Sequence, residues 1–143
     1  MERKSKMFED NRIIAMTRSL GMAMQQESVF QEYYDAKMLN DSDLDLQGMI
    51  DDFNTLQRKL DVEFAKEEKD TDSIEDLSNK LNQLYQAIME NENMKNYTEK
   101  REKFDIMTKF IDRILLVAMN GGDPYSVKEE DCTGNCANCH GCD

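Results

Sequence analysis

Apolar residues recur at separations of three and four for most of this chain, the period of one face of an α-helix and not of a strand. Ile13, Met16, Leu20 and Met24 form a first stripe, and after a polar interruption at 25–28 a second follows with Val29, Phe30, Tyr33, Tyr34 and Met38. The run from Asn40 to Asp43 (NDSD) carries side chains of the helix-capping type, and Leu46, Met49, Phe53, Leu56, Leu60 and Phe64 keep the rhythm beyond it. Residues 66–72 hold no apolar side chain and predict a turn, with Asp72 and Glu75 at the spacing of a capping box. Ile74, Leu77, Leu81, Leu84 and Ile88 then step strictly by three and four, the pattern of a seam between antiparallel helices. Two stripes of one period joined by a short polar turn predict a long antiparallel hairpin.

The last stripe runs through Tyr97, Phe104, Met107, Ile111, Ile114 and Ala118, and Phe110, Leu115, Leu116 and Val117 widen it near its end, a breadth that suggests contact on two sides. It stops at Gly121-Gly122-Asp123-Pro124, which joins the left-handed tolerance of glycine to a residue that cannot continue a helix. Beyond that point Tyr125 and Val127 are the large apolar side chains, too few for a core. The expected architecture is all-α: a helical bundle of about five helices in 1–120 with a long antiparallel hairpin, followed by a flexible Cys-rich metal-binding tail, 121–143.

At 143 residues the chain suits one domain with one core. With 39% hydrophobic and 34% charged residues, one Pro and no Trp, it reads as a charge-rich helical protein. The first residues, MERKSKMFED, lack the apolar region of a signal peptide, and no apolar run reaches membrane-spanning length, so a cytoplasmic protein without membrane insertion is expected. The formal net charge of −12 repels a phosphate backbone, which argues against direct nucleic-acid binding.

All four cysteines fall in the last dozen residues, as Cys132, Cys136, Cys139 and Cys142 in the spacing C-x3-C-x2-C-x2-C. In a reducing compartment disulfides are disfavoured, and clustered thiolates point to a soft metal centre. Bunched ligands favour iron–sulfur, since structural zinc sites often separate two C-x2-C knuckles by a longer loop; zinc stays as the alternative, as does an unliganded tail. The first three cysteines match the spacing of radical enzymes that use S-adenosylmethionine. A short helical chain offers no barrel for that chemistry, and the fourth thiolate would close the open iron position. His140, between two of the cysteines, reads as an exposed neighbour or a donor to a ligand.

Eleven methionines, among them Met22, Met24, Met38 and Met107, read first as core filling, with an adaptable partner-binding surface as the alternative. Of the pair Tyr33 and Tyr34, one is expected in the core and the other outside. A single histidine and the lack of any Gly-rich phosphate loop or nucleophile–base arrangement argue against an enzyme.

The acidic turn before Leu46, the segment Ile50–Gln57 (IDDFNTLQ), the segment Asn93–Lys100 (NMKNYTEK) and the helical stretch around them resemble the bacterial YlbF/YmcA family, over roughly residues 7–142. Gly122–Tyr125 (GDPY) ahead of clustered terminal cysteines resembles the YlbF branch. The resemblance implies a non-enzymatic regulator that assembles with a YmcA-like paralogue and a YaaT-like protein. It further implies a link to RNase Y and mRNA processing, and through them to competence, sporulation and biofilm formation. It also implies a 4Fe–4S cluster to which Cys132, Cys136, Cys139 and Cys142 contribute. A homo- or hetero-oligomer is expected. The competing readings are a small redox or metal-carrier helical protein and an oligomeric structural bundle.

Overall fold

The computed structural model describes residues 6–131. Among them are five α-helices, α1 (Arg12–Gln26), α2 (Ser28–Ser42), α3 (Leu44–Ala65), α4 (Thr71–Glu90) and α5 (Glu92–Met119), followed by single 3-10 turns at Pro124–Ser126 and Glu129–Asp131. No strand occurs among the described residues, so the all-α expectation holds. No helix among them is long and apolar enough to cross a membrane.

Three of the helix junctions are single extended residues: Glu27 (ψ 138°), Asp43 (ψ 97°) and Asn91 (ψ 131°). Each closes one helix through its backbone N–H and opens the next. At Asp43 and Asn91 the opening is reinforced by the side chain, as Asp43 Oδ1 accepts from the Leu46 N–H at 3.0 Å and Asn91 Oδ1 accepts from the Met94 N–H at 3.1 Å. The capping chemistry read at residues 40–43 therefore lies at Asp43. For α4 the expected capping box is displaced: Asp70 Oδ1 accepts from the Ser73 N–H at 3.2 Å, and Asp72 sits inside the first turn, where a carboxylate favours the helix N-terminus.

The predicted hairpin is α3 against α4, which pack extensively across the turn at 66–70. α2 pairs equally closely with α5. That pairing is antiparallel, since Asn40 meets Met94 near one end while Phe30 meets Phe104 near the other. The molecule is thus one long hairpin with two broken legs, α2–α3 and α4–α5. Leu46, Leu60, Leu81 and Ile88 are buried between α3 and α4, and Phe30 and Ala36 on α2; Leu46 alone has no exposed surface among the described residues.

Pairs of helices leave one face of each helix open. α1 contributes no buried residue and packs mainly on the start of α2, and α5, 28 residues long, also has none fully buried. The core-filling expectation for the methionines is accordingly corrected: Met22 and Met38 are exposed, while Met24 and Met107 are half-buried. Tyr33 is half-buried and Tyr34 exposed, so neither of the pair is in the core, where one was expected.

Candidate functional site

The four cysteines proposed as ligands, Cys132, Cys136, Cys139 and Cys142, and His140 with them, lie outside the described residues. The fold describes the chain from the end of α5 as far as Asp131. α5 closes with the Gly121 N–H on the Ala118 carbonyl and the Gly122 N–H on the Val117 carbonyl, the latter at 2.9 Å. Gly121 has φ +81°, where a side chain is strained, and a Cβ on Gly122 would stand 2.8 Å from Val117 Cγ1. Both glycines are therefore required by the turn, one for its backbone angle and the other for close approach. Asp123 then caps the first 3-10 turn, its Oδ1 accepting from the Tyr125 N–H at 2.9 Å while Ser126 Oγ donates to the Asp123 carbonyl at 2.6 Å.

This turn sends the chain back along α5. Val127 is half-buried, and Glu129 reaches the level of Lys103, lining with it a cavity of about 410 Å³ whose other walls are Val29, Ile106, Met107 and Phe110. Glu129 therefore lies beside the contact between the first turn of α2 and the middle of α5. Among the described residues no group of His, Cys, Asp and Glu side chains is placed to hold a metal ion.

A second polar centre lies where the two legs break. Asp43 Oδ2 accepts from Asn91 Nδ2 at 3.1 Å and from Asn93 Nδ2 at 3.0 Å, so the two junction caps are tied to each other. The hydrogen bonds from the Leu46 N–H, Asn93 and Asn91, in that order, hold the Asp43 carboxyl below the usual carboxylate range. One turn earlier the buried Asn40 accepts from Gln47 Nε2 at its carbonyl oxygen (2.9 Å) and its Oδ1 (3.2 Å), and its own Nδ2 lies 3.4 Å from Met94 Sδ. Along α2 and α5 the next layer is aromatic: Tyr33 stacks on Phe104 with centroids 4.0 Å apart and planes 14° apart, and Phe30 meets Phe104 edge-on. A hydrogen bond with Tyr97, followed by burial, raises the Tyr33 pKa. These groups hold the helices in register.

Sequence reasoning missed the link from Asp43 to Asn91 and Asn93, because partners some fifty residues away leave no local signal. It also missed the cavity at Lys103 and Glu129. The signal for the close approach of Gly122 was present in the Gly-Gly pair, which was read only as a helix stop.

A family model described as "Control of competence regulator ComK, YlbF/YmcA" matches residues 13–120. The match takes in nearly all of α1 and the whole of α2 to α5, and it ends before the cysteines. No curated protein and no solved structure matches the chain.

Proposed function

The chain belongs to the YlbF/YmcA family, and from that premise we propose that it is a non-enzymatic regulatory adaptor of a YlbF–YmcA–YaaT-type complex that modulates RNase Y-dependent mRNA processing. The family is described by control of the competence regulator ComK, and the observation that carries the reading is the extent of the match, 13–120, across the helical framework. In this proposal the protein is cytoplasmic, and its partners are a YmcA-like paralogue, a YaaT-like protein and RNase Y. A surface with a net charge of −12 supports contact with RNA metabolism through proteins and not through the nucleic acid itself.

Cys132, Cys136, Cys139 and Cys142 would hold a 4Fe–4S cluster, for which four soft thiolates within eleven residues are a fitting donor set. Bound there, the cluster would supply a centre sensitive to oxidation.

Anaerobic affinity purification of the full chain from its own cells, with metal analysis of the eluate, tests both parts. The adaptor reading expects the paralogue and RNase Y to copurify. Recovery of the chain alone, or only with redox proteins, refutes it in favour of a small redox or metal carrier. Stoichiometric zinc in place of iron would overturn the cluster and leave the adaptor standing.

A further inference from the structure

We infer that residues 127–131 act as a strap over the groove between the first turn of α2 and the middle of α5, seated or lifted while every helix stays folded. The occupant of the groove is thus a segment of this chain. The inference rests on the described residues alone and does not depend on the regulatory role proposed above.

The groove is apolar on its helix side, where the half-buried Val29, Ile106, Met107 and Phe110 line it. Its two charged lining residues come from different elements, Lys103 from α5 and Glu129 from the strap. Opposite charges on one cavity of about 410 Å³ lie within a Debye length, about 10 Å at 0.1 M salt, and attract each other across it. The wider charge pattern agrees. Residues 100–113 of α5 carry five basic and three acidic side chains, whereas residues 127–131 carry three acidic and one basic. In a chain of net charge −12, the acidic strap lies along a stretch of helix where positive charge is in excess.

The strap is anchored firmly at its start and held lightly beyond. Gly121 at φ +81°, the close approach of Gly122 to Val117 and the Asp123 cap fix the direction in which the chain leaves α5, and the turn at Pro124–Ser126 packs on that helix. From 121 to 130, Val127 is the one half-buried side chain and the others are exposed. A segment with so few buried contacts opens locally at low cost. Lifting it removes one wall of the cavity and gives water freer access to the four apolar side chains, which draws the strap back. Seated, it keeps an apolar face of the helices out of reach of other chains.

The full chain in reductant and chelator tests this with two readouts, each variant being checked by far-ultraviolet circular dichroism. Nile red, an uncharged probe of exposed apolar surface, reports the groove, and its binding to the exposed residues of α1 is common to all variants. Chymotrypsin reports the strap, because cleavage after the exposed Tyr125 needs the following residues free to enter the protease. Val127→Asp is expected to raise both the probe signal and the initial cleavage rate about threefold or more, as the lifted state becomes dominant. Lys103→Glu, which sets like charge against Glu129, should raise both as well. Adding Glu129→Lys to Lys103→Glu should return both to the wild-type level, a rescue that two independent local effects would not produce. Lys95→Glu, on the first turn of α5 and far from the strap, should change neither. A Val127→Asp variant indistinguishable from the wild type overturns the inference, since the segment then does not cover the groove. A Lys103→Glu variant without effect, a charge swap that fails to restore both signals, or a response to Lys95→Glu overturns it too.

Discussion

Leu46→Ala is expected to destabilise the protein by about 3 kcal/mol, and Leu44→Ala, two residues earlier on the same helix, by under roughly 0.5 kcal/mol. Leu46 is 0% exposed and Leu44 83% exposed. Truncating Leu46 removes three buried carbons at about 0.8 kcal/mol each and adds the cost of the cavity left behind. Collapse of that cavity is restrained, because the chain just before and after it is tied across the legs by Asp43 to Asn91 and Asn93, and by Gln47 to Asn40. Leu44 loses almost no buried area on truncation. Urea unfolding followed by far-ultraviolet circular dichroism, at one fixed protein concentration and in reductant, measures both. Leu46→Ala should lower the midpoint with no change in slope, and lower Tm by roughly 10 °C. A loss below about 1 kcal/mol for Leu46→Ala, or equal losses for the two variants, would refute the placement of Leu46 at the centre of the broken hairpin.

Asp43, whose folded pKa is depressed, stabilises the fold fully above its unfolded value of about 3.9, and that contribution is lost as pH falls through the lower folded value. Asp43→Asn should therefore lower stability at neutral pH and flatten the acid limb of the stability profile; parallel limbs for the two proteins would contradict the hydrogen-bonded carboxylate. Gly121→Ala, forced to φ +81°, is expected to cost about 1 kcal/mol and to speed proteolytic cleavage around Tyr125, while an unchanged cleavage rate would mean that the turn does not depend on a left-handed residue. Joint replacement of Cys136 and Cys139 by Ser should abolish iron-dependent visible absorption in anaerobic preparations while the helical circular dichroism persists, since every apolar seam ends before residue 120; surviving absorption would remove the cluster from these ligands.

The sequence by itself determined what is local. Three–four spacing marked every helix, since a side chain one turn away is a neighbour whatever the fold. Asp43 opened α3 because a carboxylate beside free helical N–H groups needs no distant help. Gly121 to Pro124 ended α5 because backbone angle and a missing donor act within a few residues. The pairing of α3 with α4 was legible too, as matching stripes across a short turn have few other ways to be covered.

Tertiary structure alone decided the rest. That α2 lies on α5, that the breaks at Asp43 and Asn91 stand at one level, and that their side chains join there all depend on residues about fifty apart in sequence. Periodicity reports that a face is apolar without saying what covers it, so the stripe of α1 reads the same as that of α4. Only the packed helices separate Leu81, which is buried, from Met16, which is 61% exposed. Burial belongs to the meeting of two surfaces, and one strip of sequence specifies only its own.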